Sequence, residues 1–168
     1  MSAADFVQRW FRKAYESEDC FDRFFSAWIA LVIKARSYLH EKQLTHPDTD
    51  RIAIIRYFVD RSEAVANVLA DFPEEVAWLA VRKGIGTGQP ILDVLPPDPH
   101  NLRPKFDQLA LVWSQQATRK PRWIADATAE MINHVGNNAF HGAKTPDDDA
   151  DRELLDRINR ILMDILGV

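Results

Sequence analysis

Between His134 and Lys144 the chain reads His-Val-Gly-Asn-Asn-Ala-Phe-His-Gly-Ala-Lys, bringing two histidines, two asparagines, two glycines and a lysine together. Asparagine offers both a hydrogen-bond donor and an acceptor, histidine can donate, accept or carry charge, and lysine supplies a cation. Phe140 is expected to anchor this stretch in the core while Asn137, Asn138 and His141 project outward, with Lys144 nearby. The plainer alternative is an Asn-rich helix terminus with a hydrogen-bonded histidine.

Charge points to the same part of the chain. Residues 100–146 carry Arg103, Lys105, Arg119, Lys120, Arg122 and Lys144 against Asp107, Asp126 and Glu130, whereas residues 147–168 are strongly acidic. Within a chain of net charge −4, the middle segment is where a polyanion would bind. Lys120 and Arg122 are the leading contacts outside the motif.

Other patterns carry less. Gly84-Ile-Gly86-Thr-Gly88 resembles a phosphate-cradling loop only in its glycines, since no strand precedes it and no Lys-Ser/Thr follows. Asp147, Asp148, Asp149 and Asp151 read as the acidic start of a helix, where carboxylates meet the positive end of the macrodipole. His134 and His141 do not supply the three or four ligands that zinc takes, and no metal or other cofactor is expected.

The elements that must position these groups are helical. Phe21, Phe24, Phe25, Trp28, Val32 and Leu39 recur at helical spacing and predict a long helix over 19–43. His46-Pro47-Asp48 ends it, and Asp48 or Asp50 is expected to cap a second helix turning Ile52, Ile55, Val59 and Leu69 inward. Pro73 suits the first turn of a short helix through Arg82. Glycines and prolines then make 84–104 a long loop or insertion arm. Helical pattern returns over Phe106–Ala117 and from Trp123 to about Val135. A last helix, capped by Asp148 or Asp149, carries Leu154, Leu155, Ile158, Ile161, Leu162 and Ile165 in one core stripe. The expected fold is a single all-α domain over 1–168, an antiparallel bundle of about five to seven helices.

Composition agrees. At 168 residues, 46% hydrophobic and 27% charged, the chain can bury a core and does not read as disordered. Its longest uncharged apolar run, Phe24–Ile33, is too short to span a bilayer, so no membrane partner is expected. The first residues lack the pattern of a secretory signal, and one cysteine, Cys20, excludes an internal disulfide; both fit a cytoplasmic location.

Asn137-Asn138-Ala139-Phe140-His141-Gly142-Ala143-Lys144 resembles the Arg-Asn-x-x-x-His signature of HEPN domains, the higher eukaryotes and prokaryotes nucleotide-binding superfamily. Arg23-Phe24-Phe25-Ser26-Ala27-Trp28-Ile29-Ala30-Leu31 is similar to the aromatic core helix of its Apea-like bacterial branch. The resemblance implies an HEPN-like bundle and a metal-independent endoribonuclease of toxin or phage-defence type, working as a homodimer whose motifs share a cleft. It casts His141 as the proton-transfer group and Asn137 as the residue that binds phosphate or orients the histidine, with Asn138 and Lys144 contacting RNA.

The chain departs from the signature at Gly136, which stands where the family has arginine. A guanidinium there would clamp the developing phosphorane charge, and losing such a donor costs on the order of a hundred- to a thousand-fold in rate. Gly136 then marks a natural non-catalytic member, an inactivating change in a toxic chain, or a variant rescued by Lys144 or Arg119, the first two being preferred. The alternative function is a non-catalytic RNA- or nucleotide-binding module. A protein-interaction role, with Trp10, Trp78, Trp113 or Trp123 against a partner such as an antitoxin, is a third.

Overall fold

A computed structural model describes residues 2–44, 49–81, 121–141 and 148–168. Among them the chain forms helices α1 (Ala3–Glu16), α2 (Cys20–Glu41), α3 (Asp50–Asp60), α4 (Ser62–Ala70), α5 (Pro73–Val81), α6 (Pro121–His141) and α7 (Asp149–Gly167), with no strand. The all-α bundle read from the sequence is the observed architecture. The loop expected over 84–104, the helix expected over 106–117, and Lys120 and Lys144 lie outside the described residues.

The helix starts follow from local chemistry. Ser2 and Asp5 form a reciprocal capping box on α1, the Asp5 amide donating to Ser2 Oγ at 3.2 Å and the Ser2 amide to the Asp5 carboxylate at 2.7 Å. Asp19 caps α2 and Asp148 caps α7 by accepting from amides in the first turn. At α3 the cap is Thr49, not the aspartates on either side. Its hydroxyl accepts from the Ile52 amide at 3.3 Å, and Asp50 instead pairs with Arg36 of α2.

The helix expected from Asp50 to Leu69 is two helices. Arg61, at φ −108° and ψ 27°, interrupts it between α3 and α4. The buried face of α3 is Ala53, Ile54, Tyr57 and Phe58, while Ile52, Ile55 and Val59 are only half-buried. Two large aromatics outcompete the aliphatic stripe because Tyr57 and Phe58 each remove more apolar area from water.

The core joins all seven helices. Helix α2 packs against α1, α3 and α7, and α6 packs against α3 and α4. The α7 stripe is closed off entirely: Leu154, Leu155, Ile158, Ile161, Leu162 and Ile165 are each at most 1% exposed. Burial of such side chains contributes about 1.5–3 kcal/mol apiece, so α7 is a structural centre of the bundle. No described helix is long and apolar enough to cross a membrane.

Candidate functional site

The motif sits on a helix. Helix α6 does not stop near Val135; it continues to His141, so Gly136, Asn137 and Asn138 are helical residues and not a connector. Helical geometry then sorts them by face: Val135 and Gly136 are buried, Asn137 is exposed, and Ala139 is half-buried.

Gly136 is placed by its neighbour across the bundle. A Cβ at this position would meet Cε3 and Cζ3 of the Trp28 indole at 2.9 Å. Trp28 is 8% exposed, held between Phe24 at a centroid distance of 6.3 Å and Phe140 at 6.1 Å. The ring lies in the space that a side chain on residue 136 would need. Glycine inside a helix costs about 1 kcal/mol relative to alanine; here that cost is offset by letting a large indole reach the α6 backbone.

Phe140 is not a core anchor. It is 36% exposed and meets Phe25, itself 44% exposed, edge to face at 4.9 Å. Together they form an aromatic ledge at the C-terminal end of α6, one turn beyond exposed Asn137. Anchoring falls to Val135 and Ile132, at 1% and 0% exposure. The structure therefore brings Gly136, Asn137, Phe140 and the backbone of His141 to one end of one helix. Arg122, at the other end of the same helix, is exposed and separated from them by most of its length.

Upstream, α6 carries a feature that sequence reasoning missed. Glu130 is 3% exposed and accepts a two-pronged contact from Arg51 of α3, Nε donating to Oε2 at 2.8 Å and Nη2 donating to Oε1. The available signal was a glutamate flanked by Ala127, Ala129, Met131 and Ile132, but its partner lies far away in sequence. Buried Asn133 also faces inward, and His134 is half-buried. Among the described residues no group of His, Cys, Asp and Glu can hold a metal. Of the tryptophans considered for a partner surface, Trp10 and Trp78 are half-buried; Trp78 carries the Arg157 guanidinium 4.5 Å from its ring centroid.

No family model, curated protein or solved structure matches the chain.

Proposed function

We propose that this protein is an HEPN-type RNA-directed domain, of the toxin or phage-defence class, that binds RNA without arginine-dependent cleavage. The observation that carries this choice is Gly136 against Trp28. The glycine is fitted to the ring that covers it, with a Cβ position 2.9 Å from the indole, as expected for a settled part of the packing. That favours the non-catalytic member over a recent inactivating change.

Three observations support the wider reading. The architecture is an all-α bundle. The motif ends the helix preceding the last described one, and Asn137 is exposed there. The Phe25–Phe140 ledge beside it suits an unpaired base, since aromatic rings stack on bases regardless of sequence. In this proposal Asn137 and Asn138 bind phosphate, Lys144, Lys120 and Arg122 add charge, and His141 keeps the position of the proton-transfer residue. Two copies would bring their motifs together in the cytoplasm, with an antitoxin as the protein partner that masks them.

The test compares this chain with Gly136→Arg, and with His141→Ala in the arginine background. It reads binding of single-stranded RNA over a salt series and cleavage of total RNA with and without EDTA. The chain should bind, more weakly as salt rises, and should not cut. Gly136→Arg must displace Trp28, so it is also examined with Trp28→Leu to make room. Restored, EDTA-insensitive cleavage that His141→Ala abolishes would establish the disarmed-nuclease lineage. Absence of RNA binding, or chelator-sensitive cleavage by the chain itself, would refute the proposal.

A further inference from the structure

Away from the motif, α1, α2, α3 and the end of α7 enclose a groove of about 480 Å³. That is within the range of small-molecule sites. Its polar lining is rich in donors. Tyr57 is 1% exposed, and its hydroxyl accepts from Arg61 Nη1 at 3.4 Å, which leaves the phenolic proton without an acceptor among the described residues. Arg61 makes no ion pair with a described carboxylate; its guanidinium stands 5.6 Å from the Tyr57 ring centroid. Lys34 spends two protons on the main-chain oxygens of Leu166 and Val168, at 2.6 and 2.9 Å, and has a third to give.

The neighbouring Tyr38 ring meets Tyr57 edge to face at 5.3 Å; its hydroxyl donates to Asp60, and no hydrogen bond joins the two hydroxyls. Among the described residues one carboxylate side chain lines the groove, that of exposed Glu41, two helical turns beyond Lys34 on α2. Burial first, and the Arg61 charge after it, hold the Lys34 ammonium below the usual lysine range. An acceptor placed among these donors would satisfy a buried hydroxyl and relieve the repulsion between two cations. Val7, Phe11 and Leu166 add apolar side chains to the same lining.

We propose that this groove binds a small amphiphilic anion, its carboxylate or phosphate head held by Tyr57, Arg61 and Lys34 and its apolar body laid against Val7, Phe11 and Leu166. The site is independent of the RNA reading, using no residue of the α6 motif.

The experiment is calorimetric titration of the full chain with octanoate and with octyl phosphate, against octan-1-ol and octylammonium as controls. Either or both anions should bind with one-to-one stoichiometry, the stronger identifying the preferred head, and the two controls at least tenfold more weakly. Tyr57→Phe and Arg61→Gln should each weaken binding roughly tenfold, the usual effect of losing a hydrogen bond to a charged group. Thermal melts show whether each variant is folded; if Tyr57→Phe is not, Arg61→Gln decides. Equal binding of octan-1-ol, no heat with either anion, or undiminished affinity in folded Arg61→Gln would overturn the proposal.

Discussion

Gly136 of α6 and Trp28 of α2 are shaped to each other: the indole occupies the volume of the missing side chain, and a Cβ would come within 2.9 Å of it. Gly136→Ala thus sets two effects in opposition. Helix propensity favours alanine by about 1 kcal/mol, whereas overpacking a filled core costs about 1–3 kcal/mol. A net loss of roughly 1 kcal/mol is expected in urea unfolding, since the contact is with a buried ring and not a flexible side-chain end. In a Trp28→Leu background the same change should become stabilising. Stabilisation by Gly136→Ala in the unmodified chain would mean that the ring yields freely.

The Arg51–Glu130 pair predicts an asymmetry. Glu130 is enclosed, while the Arg51 side chain is 33% exposed and can turn toward water. Arg51→Met leaves a buried carboxylate alone and should cost about 3 kcal/mol, near the lower end for breaking a buried pair. Glu130→Met should cost less, because the freed guanidinium has somewhere to go. The double substitution should be milder than Arg51→Met alone, as replacement of a buried pair by apolar groups often is. Chemical denaturation of the three variants checks the order; equal costs for the two single changes would contradict it.

These cases show which parts of the molecule were legible in the sequence. Caps and stripes are local, so the α7 stripe and the Pro73 start of α5 could be read directly. The α6 end could not. Asn and Gly lower helix propensity and suggest a stop near Val135, but the contacts with Trp28 and Phe25 extend the helix to His141. These contacts join residues far apart in sequence, as does Arg51–Glu130, and spacing within one segment does not reveal them. The break at Arg61 was hidden for another reason: neither glycine nor proline marks it.

Asp19 gives the fold an acid-sensitive point. Partial burial opposes its ionised form, but the amides of Asp22 and Phe21 and the Arg152 guanidinium 3.1 Å away outweigh this and lower its carboxyl pKa. A carboxyl whose pKa is lower when folded adds stability above its unfolded value, near 3.9, and that contribution disappears as pH falls through the folded value. Asp19→Asn keeps an N-cap but removes the titration, so its stability should vary less with pH below about 4 than the unmodified chain's. Asp19→Ala should lose about 1 kcal/mol at neutral pH from the missing cap. Thermal melts across pH 2.5–7, roughly bracketing the carboxylate range, check both; parallel curves for Asp19→Asn and the unmodified chain would remove Asp19 from the account.

Phe25 and Asn137 separate stability from RNA binding. Both are exposed, and surface changes away from special contacts usually stay within about 0.5 kcal/mol, so Asn137→Ala should melt like the unmodified chain. Phe25→Ala gives up the edge contact with Phe140 and should lose about 1 kcal/mol. Under the RNA-directed proposal, Phe25→Ala should weaken binding of a single-stranded oligoribonucleotide about tenfold, while Phe25→Trp preserves it and gains fluorescence quenching on stacking. Arg122→Ala and Lys120→Ala should instead reduce the salt dependence of binding, since phosphate contacts act through counterion release whatever the base. RNA binding that survives Phe25→Ala unchanged would remove the ledge from the RNA site while leaving the charged contacts in place.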